Sequence, residues 1–137
     1  MTGIAMDEQV TLPDLQVMYV ESTAGTAGAA AAFDQLESRL SSLKRRRFYG
    51  TFQRPLGPYR ACVAVEGGED AAVMGLKTWE IPGGKYSRRK LLHWQAEISR
   101  IGEAFESMAK ERSCDMSRPS IEFYRSQKEV VLFLPVN

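Results

Sequence analysis

The chain is predicted to fold as an α+β domain in which two strand-helix-strand-strand units share one antiparallel sheet. Three observations carry that prediction. Two apolar stripes recur at helical spacing, one in each half of the chain. Each stripe follows one β-prone run and precedes two more that are joined by a short turn. The halves 15–66 and 76–137 repeat this order at an offset of roughly 60–70 positions, which reads as an internal duplication whose identity has worn away. Both helices then cover one side of a pseudo-two-fold sheet, and a ligand cleft is expected between the halves.

Composition fits this class. The 137 residues are 44% apolar, 26% charged and 9% aromatic, which argues against disorder, collagen-like repetition and a disulfide scaffold and for a single domain over 1–137. Eighteen basic against 17 acidic residues leave a formal charge of +1, so no global field draws the chain to nucleic acid or to an anionic membrane.

Residues 1–14 are polar and are expected to be frayed. Leu15 to Val20 is a β-prone run, stopped by the small residues Ser22 to Gly28. Ala32, Phe33, Leu36, Leu40 and Leu43 then mark one buried face of a helix, with Lys44 to Arg47 as a solvated, dipole-complementing end. Phe48 to Gln53 and Tyr59 to Glu66 form a hairpin around Arg54-Pro55-Leu56-Gly57-Pro58. Gly67 to Asp70 breaks the pattern. A strand follows around Lys77 to Ile81, Pro82-Gly83-Gly84 bends the chain, and Lys85 to Leu92 continues extended. Trp94, Ile98, Ile101, Phe105 and Met108 step by four, three, four and three, predicting a second helix that stops near Arg112 or Ser113. Pro119 to Tyr124 and Glu129 to Val136 close the chain as a hairpin through Ser126 to Lys128.

Little in the sequence points to metal or to covalent nucleophile chemistry. Cys62 and Cys114 stand far apart, and His93 is the only histidine. A zinc site therefore lacks ligands, a Ser-His or Cys-His pair would have to recruit His93, and both thiols read as reduced. No metal and no other cofactor is implied. The N-terminus lacks the apolar core of a signal peptide, and the longest apolar run, Val130 to Val136, is too short for a membrane span and contains Pro135. A cytoplasmic protein is expected.

The most informative segment is Ile121-Glu122-Phe123-Tyr124. Alternation sends Ile121 and Phe123 to one face of a strand and Glu122 and Tyr124 to the other. Both faces of the last strand are apolar, so an outer face bearing Phe133 beside Glu122 and Tyr124 suggests a cover. Glu122 is then either a carboxylate in an aromatic cleft or an exposed, salt-bridged one. The residues alone leave both open.

The order Tyr59-Arg60-Ala61, Gly75-Leu76, Ile81-Pro82-Gly83-Gly84-Lys85-Tyr86, the second helix, Glu122-Phe123-Tyr124 and Leu134-Pro135-Val136 resembles the GyrI-like small-molecule-binding domains. These are similar to the effector-binding domains of multidrug-sensing bacterial transcription activators and to stand-alone gyrase-inhibitory proteins. The resemblance runs from about Val17 to Asn137. It implies a stand-alone protein that sequesters or senses hydrophobic, often cationic or aromatic compounds. The acidic residue at the bottom of the family's cleft maps onto Glu122, with Tyr124 beside it and Phe133 across the hairpin; Trp94, Ile98, Tyr19, Tyr59 and Trp79 are candidates for the walls. An alternative within the same resemblance is a hydrolase of strained electrophiles such as cyclopropane-bearing compounds. There Glu122 is the general base, and Tyr124 or Tyr19 positions the substrate. A further alternative is a gyrase-inhibitor-like module that docks on a larger protein through Lys44 to Arg47 and Arg88 to Lys90. Only about fifteen residues precede the first strand, too few for a DNA-binding helix pair.

Overall fold

Two turn signals reverse the chain where their chemistry demands it, so that β3 (Phe48–Phe52) pairs antiparallel with β4 (Tyr59–Ala64) and β7 (Ser120–Tyr124) with β8 (Glu129–Pro135). The computed structural model describes residues 7–137. Its other strands are β1 (Glu8–Leu12), β2 (Leu15–Glu21), β5 (Lys77–Ile81) and β6 (Gly84–Leu92), and its helices are α1 (Ala29–Ser38), α2 (Ala71–Met74) and α3 (Ser99–Glu111). All eight strands form one antiparallel sheet in the order β1-β6-β8-β7-β3-β4-β2-β5. The halves join where β3 pairs with β7, and Gly50 lies opposite Glu122 at the middle of that seam. The α+β, pseudo-two-fold architecture expected from the sequence is the one observed.

The alternating strands divide their side chains between two faces. On one, Ala32 and Leu36 of α1 pack on Met18, Ala61 and Val63. On the same face, Ile101, Phe105 and Met108 of α3 pack on Val130, Leu132 and Leu134. Burial of Phe105 and Met108 contributes about 1.5–3 kcal/mol each. The other face gathers Val17, Tyr49, Tyr86, Ile121 and Phe133 into one cluster, with Val10 and Leu12 of β1 and Trp79 of β5 packed against it. Residues from both edge strands meet there, so the sheet must curl.

Several local expectations are corrected. Residues 8–12, expected to be frayed, form β1 and pair with β6 from Glu8↔Arg88 to Leu12↔Gly84; the part of that expectation falling on residues 1–6 lies outside the described residues. Helix α1 ends at Ser38, not after Leu43. Serines compete for the backbone at this point: Ser38 Oγ donates to the Gln35 carbonyl, and Ser42 Oγ accepts from the Lys44 amide. The basic run is therefore no helix terminus. The Arg46 side chain is buried, donating from Nη1 and Nη2 to Glu69 at 2.9 Å each and from Nη2 to the Ala64 carbonyl at 3.1 Å. In the second basic run Arg88 pairs with Glu8, Arg89 with Asp7 and Glu111, and Lys90 with Glu129. Trp94 starts a short 3-10 turn instead of an α-helix, and α3 begins only at Ser99.

The break at Gly67 to Asp70 contains a helix start. Asp70 accepts from the amides of Ala72 at 3.0 Å and Val73 at 3.4 Å, and Gly75 ends α2 at φ +73°, where a Cβ would be strained. Replacing Asp70 with alanine is expected to lower the melting temperature by about 2–4 °C through loss of the cap, and asparagine should restore most of it. Thermal denaturation followed by circular dichroism checks this. No described helix is long and apolar enough to cross a membrane.

Candidate functional site

Pleat alternation places Glu122 and Tyr124 of β7 on the helix-covered face, beneath the gap between α1 and α3. Two strand spacings away, about 9–10 Å, β4 carries Tyr59 on the same face. Between them runs β3, where Gly50 has no side chain. The Tyr59 ring lies across that glycine, and its hydroxyl donates to Glu122 Oε1 at 2.8 Å. The Tyr124 hydroxyl donates to the same oxygen at 2.5 Å. A Cβ on Gly50 would stand 2.0 Å from Tyr59 Oη and 2.5 Å from Glu122 Oε1. Gly50 is thus the opening through which the two halves share one carboxylate. Near a pseudo-two-fold axis two bulky side chains would collide; one half keeps the acid and the other a glycine.

Glu122 is 9% exposed. Burial pushes its carboxyl above the usual range, and the Tyr124 and Tyr59 hydroxyls, which favour the ionised form, pull back only part of that shift. No guanidinium or ammonium group among the described residues pairs with it. Burial and then the neighbouring carboxylate raise both phenols, which remain protonated donors. Among the described residues nothing donates to Oε2, leaving it the oxygen open to the cleft.

The cleft consists of two adjoining hollows. The inner one, about 460 Å³, has Glu122, Tyr59 and Ser120 on its floor, the amino end of α3 on one wall and Arg54 with Pro55 at its rim. The outer one, about 690 Å³, is walled by Phe33, Phe48, Leu43 and Trp94. Thr26, Ala29, Ile98, Ile101 and Tyr124 border both. Aromatic rings meet edge to face around the acid: Tyr124 lies 5.4 Å from Phe33 and 5.1 Å from Trp94, and Phe33 lies 6.5 Å from Tyr59 between centroids. The small residues of 22–28 do more than end β2. Their short side chains at Thr26 and Ala27 leave the room that the hollows occupy.

Of the residues singled out in the sequence, Glu122, Tyr124, Tyr59, Trp94 and Ile98 come together here. Ile98 lies at the N-cap of α3, 67% exposed, and Trp94 lies in the preceding 3-10 turn with its indole N–H on the Ser126 carbonyl at 3.3 Å. Tyr19, Trp79 and Phe133 do not join them. Phe133 pairs with Ile121 and Leu132 with Glu122, so Phe133 faces away and packs edge to face on Tyr86 at 6.4 Å. Tyr19 and Trp79 lie on that same far face, 6.2 Å apart, with the Arg60 guanidinium 4.5 Å from each ring. A one-residue shift in register separates these outcomes. Gly50, Phe33, Arg54 and Thr26 were missed; only Phe33 carried a signal, at the flank of the first helical stripe.

No protein-family model matches the sequence, and no curated protein matches it. Solved structures do. An integron cassette protein from the mobile metagenome of Vibrio cholerae superimposes with a TM-score of 0.70 at 14% identity, covering 96% of this chain and 95% of its own. A hydrolase from Listeria innocua gives 0.63 at 13% identity over 97% and 92%. SAV2435, solved bound to tetraphenylphosphonium, gives 0.60 at 14% identity over 96% and 94%. At such identities these likenesses speak for the fold alone.

Proposed function

We propose that this chain is a stand-alone GyrI-like small-molecule-binding protein whose cleft takes hydrophobic, cationic, aromatic compounds, with Glu122 as the counter-charge. The observation that carries this reading is a buried carboxylate beneath aromatic rings that no cationic side chain among the described residues pairs with. Such a group raises the energy of the empty protein unless it takes a proton, and a lipophilic cation removes that penalty on entering. Rings of Tyr124, Trp94 and Phe33 facing the charge would add about 0.5–2 kcal/mol each, and flat walls tolerate ligands of varied shape. The inner hollow has the size of an ordinary ligand pocket. SAV2435, which shares the fold, was solved with a cation of this chemistry.

Water activation is the other chemistry open to this acid, through Oε2. The two hydroxyls on Oε1 weigh against it, because they stabilise the charged form and so weaken it as a base.

Tetraphenylphosphonium at saturation is expected to raise the melting temperature of the wild type by several degrees, whereas the neutral analogue triphenylphosphine oxide should do little. Glu122→Gln should lower affinity for the cation at least tenfold and leave the neutral compound unaffected. Equal stabilisation of both proteins by the cation would remove Glu122 from the role given to it.

A further inference from the structure

The inner hollow holds a second charge that a simple cation does not use. Arg54, at the start of the β3–β4 turn, lines the same space as Glu122. Among the described residues it forms no ion pair and donates no side-chain hydrogen bond, whereas Arg46, on the outer hollow, pairs with Glu69 and Glu66 and donates to the Ala64 carbonyl. Glu106, on the α3 wall of the inner hollow, is solvent-exposed and forms no ion pair with Arg54. The inner hollow is therefore polarised, with a buried negative charge on its floor and a half-exposed positive charge at its rim. Among the described residues Glu122 and Arg54 form no ion pair with each other.

We propose that the preferred ligand is a zwitterion: an aromatic molecule whose positive centre lies against Glu122 and whose acidic group reaches the rim, where the Arg54 guanidinium donates to it. This rests on the cleft reading given above and narrows it to one class of compound. The geometry separates the two recognition events. The positive centre is desolvated on the floor, where pairing matters most, while the acid keeps part of its water and meets a planar guanidinium suited to carboxylate or phosphonate. Ser99 and Thr26 also line this hollow. Arg54 in this account selects among ligands, and Glu122 secures them.

The test uses (4-carboxybutyl)triphenylphosphonium and its methyl ester, which keep the same cation and differ by one negative charge. Binding to the full chain is measured by calorimetry at pH 7.5. Wild type is expected to bind the acid about three- to fivefold more tightly than the ester, as a partly screened ion pair would give, and Arg54→Gln should bring the two to equal affinity without weakening the ester. Raising the salt to 0.5 M should shrink the wild-type preference. Binding of the ester with no preference for the acid would overturn this proposal and leave the cleft reading standing. A preference that persists in Arg54→Gln would equally overturn it, and failure of the ester to bind at all would overturn both.

Discussion

Replacing Gly50 with alanine is expected to destabilise the protein by about 2–4 kcal/mol, roughly 8–15 °C in melting temperature for a chain of this size, and to abolish cation binding. The added methyl group would stand 2.0 Å from the Tyr59 hydroxyl, 2.9 Å from its ring carbon Cζ and 2.5 Å from Glu122 Oε1. None of these atoms can yield cheaply. Tyr59 is 2% exposed and Glu122 9%, so relief requires breaking their hydrogen bond and leaving a buried donor and a buried acceptor short of partners. The mechanism makes a second, sharper demand. Tyr59→Phe removes the atom that the new methyl group strikes most severely, so Gly50→Ala in a Tyr59→Phe background should cost at least 1 kcal/mol less than in the wild type. Gly67, whose Cβ would meet nothing within 4 Å, supplies the control, and Gly67→Ala should shift stability by no more than about 0.5 kcal/mol. Denaturant titration of the five proteins measures all of this. If Gly50→Ala proves as stable as Gly67→Ala, or if its cost is the same with and without the Tyr59 hydroxyl, then Gly50 is not the passage between the two halves.

That glycine also shows where sequence reading stops. The alternation in Ile121-Glu122-Phe123-Tyr124 was enough to put the acid and Tyr124 on one face, because a strand's two-residue period is a local property. Whether Phe133 shares that face depends on how β8 pairs with β7, and Ile121↔Phe133 differs from Glu122↔Phe133 by a single residue. Trp79 and Tyr59 carry the same one-residue uncertainty of register, and the pairing puts Trp79, with Tyr19, on the far face and Tyr59 on the face of Glu122. Gly50 gave no signal, since an isolated glycine in a strand acquires meaning only when a side chain from two strands away crosses it. Apart from β1 and α2, the strands and helices and their order were legible because turns and stripes are local. The extent of α1 and the start of α3 were not, because there serine side chains and the docking of Trp94 on Tyr124 override periodicity.

A single group should make ligand affinity and the stability of the empty protein respond to pH in opposite directions. Because burial raises the Glu122 carboxyl in the folded protein, the folded state holds its proton more tightly than the unfolded chain does. Its contribution to stability is then complete below the unfolded carboxyl pKa and is lost as pH rises through the folded one. Glu122→Gln, which removes the buried charge and keeps the shape, is therefore expected to melt about 3–6 °C above the empty wild type at pH 8. The two should converge as the pH approaches 4. The difference between them is the quantity to follow, since Asp115, held at about 2 by Ser117 and Arg118, and Glu69, held low by Arg46, make both proteins less stable in acid. Cation affinity runs the other way. Tetraphenylphosphonium pairs only with the ionised acid, so below the raised pKa its affinity for wild type should fall with pH towards that of Glu122→Gln, while the weak binding to Glu122→Gln stays flat. Opposite slopes that both vanish in the variant would tie the two effects to one carboxyl; a wild-type affinity unchanged between pH 8 and pH 4 would mean that the cation is held by the rings alone.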